Sequence, residues 1–196
     1  MAGAARKFQR PLGERRYRKM FILATEGVMT EPQYFALFNN QKSVIYVNCL
    51  RAKHDSSPVQ VLKRMEEHLK QQGIKKTDEA WLVVDKDQWT DSQLAELDRW
   101  AKKAANYGMA LSNPKFEYWL LLHFEDGKNV CSKTCTQKLK KYLPDYDKAI
   151  DIRKISTGMI NDAVRRAKKR DNPPCEDWPR GTGSTVYRLV EKILDV

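Results

Sequence analysis

Two groups of carboxylates follow short apolar runs. Glu26, in Thr25-Glu26-Gly27, comes after Met20 to Ala24, and Asp85 and Asp87 come after Ala80 to Val84. Asp85 and Asp87 are two apart, so on an extended strand end both side chains point to one side while Lys86 points away. Carboxylates held together repel each other and shift a pKa unless a cation lies between them. One acid from a first strand and two from a later one supply the oxygen donors that a hard divalent cation, Mg²⁺ or Mn²⁺, takes. Gly27 leaves out a side chain where a ligand needs close approach. Glu117 is a fourth candidate, set in Phe116-Glu-Tyr-Trp-Leu-Leu-Leu122, where an ionised carboxylate is costly unless paired or metal-bound. The competing explanation is a first-turn helix position favoured by the dipole. His123, six residues on, falls roughly opposite Glu117 around a helix and reads as a packed or hydrogen-bonded residue rather than a ligand. Two metal ions roughly 4 Å apart can activate a water and hold a scissile phosphate. The chemistry expected of Glu26, Asp85, Asp87 and Glu117 is therefore phosphodiester hydrolysis, with Glu26 as ligand or general base. That expectation requires positions 26, 85 and 87 to meet at one solvent-reachable pocket.

The hydrophobic pattern supplies the elements that would position these acids. Met20 to Thr25, Val44 to Leu50, Ala80 to Val84 and Met109 to Leu111 read as strands. Between them lie helical stretches. The first opens at Thr30, as cap, with Gln33 reaching back and Pro32 in the first turn. The second opens at Ser57-Pro58 and stops at Gly73, and the third is capped by Asp91. This alternation predicts an α/β fold with a mostly parallel sheet flanked by helices. Right-handed crossovers bring the first and third strands together, so their carboxyl ends, where functional groups gather in open α/β sheets, lie side by side. The organisation expected is a basic arm over residues 1–19 and a single domain over 20–196. That domain has a core at about 20–124 and a helical extension at about 125–196.

The chain of 196 residues carries 36 Lys and Arg against 25 Asp and Glu, a formal charge of +11, with a pI near 9.5. Such a balance favours a polyanion, DNA or RNA. Arg6, Lys7, Arg10, Arg15, Arg16, Arg18 and Lys19 form an arm suited to a phosphate backbone, with binding weakened by salt. Thr182, Ser184 and Thr185 precede the last helix beside Arg180, where hydroxyls and free N–H groups can hold a phosphate or simply cap the helix. No apolar run has the length of a membrane span and no hydrophobic leader is present, so a cytoplasmic protein is expected. Four scattered cysteines do not make a disulfide framework, and the spacing of Cys131 and Cys135 suits zinc poorly. There is no P-loop and no Ser/His/Asp or Cys/His arrangement. A phosphoacceptor receiver domain would carry its acidic pair after the first strand, the reverse of this distribution.

Glu26-Gly27 after the first strand and Asp85-x-Asp87 after the third resemble the Toprim domain of topoisomerases, DnaG-type primases and OLD-family nucleases. More closely, Phe21-Ile-Leu-Ala-Thr-Glu-Gly27, Thr30-Glu-Pro-x-Tyr-Phe35, Ser112-Asn-Pro-x-Phe-Glu-x-Trp-Leu-Leu-Leu-His-Phe124 and Thr185-Val-Tyr-x-Leu-Val190 are similar to the RloB-like family. The resemblance implies a Toprim-like, Rossmann-like fold binding Mg²⁺ or Mn²⁺. By position, Glu26 matches the Toprim glutamate, Asp85 and Asp87 match its acidic pair, and Glu117 falls within the family's own motif. It also implies a role in bacterial anti-phage defence beside an AAA or ABC-type ATPase. Topoisomerases add a tyrosine-bearing domain and primases add zinc and polymerase-associated regions, which leaves nuclease as the Toprim activity to expect. A non-catalytic subunit that binds nucleic acid or docks a partner is the alternative.

Overall fold

The computed structural model describes residues 19–39, 44–52, 57–87 and 89–196. Arg6, Lys7, Arg10, Arg15, Arg16 and Arg18 lie outside the described residues. The strands are β1 (Lys19–Thr25), β2 (Ile45–Leu50), β3 (Glu79–Asp85), β4 (Tyr107–Asn113) and β5 (Gly183–Ser184). They form one sheet in the order β2-β1-β3-β4-β5, parallel except for β5. The helices are α1 (Thr30–Ala36), α2 (Pro58–Gln72), α3 (Asp91–Ala101), α4 (Phe116–Leu121), α5 (Ser132–Lys140), α6 (Thr157–Arg170) and α7 (Val186–Leu194). The expected α/β architecture, a mostly parallel sheet between helices with a helical C-terminal part, is the observed one.

Strand alternation sorts the core into two layers. Phe21, Leu23, Val47, Trp81, Val83 and Ala110 point to one side, where α1 and α4 to α7 cover them. Ile22, Ala24, Ala80, Leu82, Val84 and Leu111 point to the other, against α2, α3 and Trp178. Burial on both faces explains why the central strands are continuously apolar. Each buried Leu, Ile or Phe contributes roughly 1.5–3 kcal/mol. The all-round hydrophobic α4 is buried at Phe116, Tyr118, Trp119, Leu120 and Leu121. No helix among the described residues is long and apolar enough to cross a membrane.

Helix starts show where local rules hold and where they yield. Ser57 and Gln60 form a reciprocal capping box on α2, and Gly73, with φ +68°, ends that helix. For α3 the cap is Thr90, paired with Gln93, and Asp91 is the first helical residue rather than the cap. The box expected from Thr30 and Gln33 does not form, because Met29 occupies the cap position. Thr30 Oγ1 donates instead to the Lys148 carbonyl at 2.6 Å, and Gln33 Oε1 accepts from the Ile150 N–H at 2.8 Å. Long-range bonds to the 146–150 segment have replaced a local cap.

Candidate metal centre

The carboxyl ends of β1 and β3 are adjacent, with Thr25 in register with Val83. The Glu26 N–H extends that ladder, donating to the Val83 carbonyl at 2.9 Å. Its side chain therefore lies over the end of β3. There Oε2 accepts from the Asp85 N–H at 3.1 Å and Oε1 from the Trp89 indole N–H at 3.0 Å. Asp85 ends β3 and receives the Phe116 N–H, from the start of α4, on its carboxyl. The next residue of α4, Glu117, is half-buried and accepts the Tyr146 hydroxyl at Oε1, 3.1 Å away.

A fourth acid that the sequence did not single out completes the group. Glu31, in the first turn of α1, is only 4% exposed. Its Oε1 accepts the Gly27 N–H at 2.9 Å. A Cβ at position 27 would overlap the Glu31 carboxylate, so a side chain there would displace Glu31 from this position. Glu26, Glu31, Asp85 and Glu117 line one pocket of about 520 Å³ with Trp89 and Lys148.

Electrostatics shows how closely the four acids sense one another. Burial pushes the Glu31 carboxyl up to about 7, helped by the Glu117 and Glu26 carboxylates and opposed by the Gly27 N–H. Burial also holds the Asp85 carboxyl well above its usual range, and Glu31, Glu26 and Glu117 raise it further. A cation placed between desolvated carboxylates that repel one another would relieve that repulsion.

Asp87 does not join this group. The extended strand ends at Asp85, and Asp87 is an exposed turn residue whose N–H donates to the Pro114 carbonyl at 2.8 Å. The two-residue alternation that would have aimed it beside Asp85 holds only while the backbone is extended. Lys86, between them, reaches the Trp89 carbonyl at 2.6 Å and Asp91 at 3.0 Å. Glu31 thus stands in the pocket where Asp87 was expected.

The remaining sequence candidates lie elsewhere. Lys19 pairs with Glu79 at 2.7 Å, at the start of β1 and away from the acids. Thr182 Oγ1 donates to the Val130 carbonyl at 3.0 Å. Ser184 and Thr185 are buried. The Ser184 hydroxyl bonds Ser112 at 2.9 Å, and Thr185 Oγ1 accepts the Leu111 N–H at 2.9 Å. These hydroxyls stitch β5 and the start of α7 to β4. His123 is buried between Tyr34, 3.2 Å from Nε2, and the Trp119 and Leu120 carbonyls, each 3.1 Å from Nδ1. Burial pushes its pKa down to about 4. It is a neutral packed histidine, as its place opposite Glu117 suggested. The four cysteines are free thiols.

Among the described residues no group of three or more His, Cys, Asp and Glu side chains is arranged as a ready-made ligand set. Mg²⁺ nevertheless binds through as few as one or two carboxylates, keeping its waters and taking substrate phosphates for the rest. An all-oxygen cluster of mutually repelling acids is the donor type that suits a hard cation of this kind. Asp85, Glu26 and Glu117 are the residues that would hold the ion.

Fold and pocket define a doubly wound α/β protein with an acidic centre at the carboxyl edge of its sheet. The chain belongs to the RloB-like family, described as RloB-like protein, whose match spans residues 21–193. No curated protein and no solved structure matches it.

Proposed function

We propose that this RloB-like protein is a Mg²⁺- or Mn²⁺-dependent nuclease that hydrolyses phosphodiesters of DNA or RNA. The observation that carries the reading is the convergence of Glu26, Glu31, Asp85 and Glu117 on one open pocket in a strongly basic chain. A bound divalent cation supplies charge neutralisation of the phosphate and an acidified water. The protein contributes the rest. Glu26 is fixed in direction by two N–H donors, as a ligand must be to keep its geometry. Asp85 is oriented by the Phe116 N–H. Glu31, whose burial raises its carboxyl above the usual glutamate range and whose side chain lines the pocket, is placed to accept the proton of the attacking water. The family resemblance adds a cytoplasmic setting in anti-phage defence and an AAA or ABC-type ATPase as partner.

A second reading, a non-catalytic subunit that binds nucleic acid or docks a partner, is favoured by one observation: no ligand set is preassembled among the described residues. An assay of the purified full chain on plasmid and tRNA, with Mg²⁺, Mn²⁺ or excess EDTA, separates the two. The nuclease reading expects cleavage with either metal and none with EDTA. Cleavage indifferent to EDTA would overturn the metal dependence, and no cleavage with either metal, even with an ATPase partner added, supports the second reading.

A further inference from the structure

Lys148 is the feature of the pocket that carboxylate chemistry leaves unexplained. It is the one cationic side chain among the described residues lining the acidic pocket, and none of the ion pairs among them involves it. Its backbone is left-handed, with φ +61°. Lysine carries a steric penalty there that glycine avoids. The surrounding contacts hold it in place nonetheless. The Lys148 carbonyl accepts the Thr30 hydroxyl, Tyr146 bonds Glu117 at 3.1 Å, and the Ile150 N–H reaches Gln33 at 2.8 Å. One short segment, 146–150, is thus tied both to α1 and to a carboxylate of the centre. Strained non-glycine residues held by their surroundings cluster at functional sites.

We propose that Lys148 is a phosphate-binding residue, placed by the 146–150 segment over the mouth of the pocket to meet a non-bridging oxygen of a nucleic-acid backbone. This deepens the nuclease reading and rests on it. A cation left unpaired beside four acids is free to meet an incoming anion, whereas one locked in an ion pair is not. The acids alone would repel a phosphodiester. Lys148 offsets that repulsion on the side facing solvent, where its side chain is exposed. Its charge is a point charge on a flexible stem, which suits a backbone phosphate rather than a base edge.

The test uses a fluorescein-labelled single-stranded oligonucleotide, with Ca²⁺ in place of Mg²⁺ to limit cleavage, and binding read by anisotropy from 50 to 300 mM salt. The Lys148→Gly variant suits the left-handed backbone better than lysine does, so its melting temperature should stay level or rise. Its affinity should nevertheless fall about tenfold at low salt, and the slope of log affinity against log salt should shrink by about 0.7, the value for one lost phosphate contact on a single strand. Lys148→Arg should restore the slope. Lys148→Gly binding with wild-type affinity and slope would overturn the role of Lys148 while leaving the nuclease reading intact. Failure of the wild-type chain to bind the oligonucleotide at any salt would overturn both.

Discussion

Asp85→Asn is expected to slow metal-dependent cleavage by about 10³-fold or more, a loss on the scale of removing a preorganised electrostatic group from an active site. Asp87→Asn is expected to cost less than about tenfold. The contrast follows from geometry: Asp85 ends its strand inside the pocket, electrostatically coupled to Glu26, Glu31 and Glu117, whereas Asp87 is an exposed turn residue. Substituting asparagine keeps the shape of Asp85 and its capacity to accept the Phe116 N–H, so the loss reports charge rather than packing. Single-turnover cleavage of the same substrate by the two variants measures it. Equal losses at 85 and 87 would move the centre to the expected pair and away from the observed pocket.

Glu31→Gln is expected to stabilise the metal-free protein and cripple it. The folded-state carboxyl sits near 7, above the 4.5 of an unperturbed glutamate. As pH rises past 4.5 the unfolded chain ionises while the folded one stays neutral, and the folded state loses stability until about pH 7, where it ionises too. Above pH 7 the full penalty, about 3 kcal/mol, is present; below 4.5 it is absent. Glutamine removes it while its amide oxygen still accepts the Gly27 N–H. Melts in EDTA should therefore show the variant several degrees more stable than wild type at pH 8, with the gap closing towards pH 4.5. Cleavage should fall about 10²- to 10⁴-fold, the usual worth of a positioned general base. Stability and activity moving in opposite directions is the signature of a site held in a costly state for function. A variant less stable than wild type at pH 8 would show that Glu31 is a structural acid whose bond to Gly27 outweighs its burial.

How much of this was legible in the sequence depends on whether the signal was local. The four parallel strands could be read because each is an apolar run bounded by polar turns, and the adjacency of the first and third followed from the expected right-handed crossovers. Glu26, Asp85 and Glu117 were legible because they sit at strand ends or just after one. Asp87 falls outside the pocket because two-residue alternation ends with the extended strand, at Asp85. Glu31 escaped because its partner, the Gly27 N–H, comes from a turn whose shape only the fold reveals. A sign of it existed in the second family-like stretch, where a glutamate follows Thr30 four residues after Gly27. Thr30 and Gln33 satisfied every local rule for a capping box, yet the 146–150 segment claimed both side chains. Ser184 and Thr185 looked like a helix start open to phosphate, but a two-residue antiparallel pairing with β4 buries them. Such nonlocal pairings leave no periodicity to read.

The most direct measurement of the metal centre is an anomalous difference map from crystals grown with MnCl₂. A peak is expected inside the pocket, within about 2.5 Å of carboxylate oxygens from Asp85 and at least one of Glu26 and Glu117. A pocket without manganese at millimolar metal, or a peak held by Asp87 outside it, would contradict the assignment.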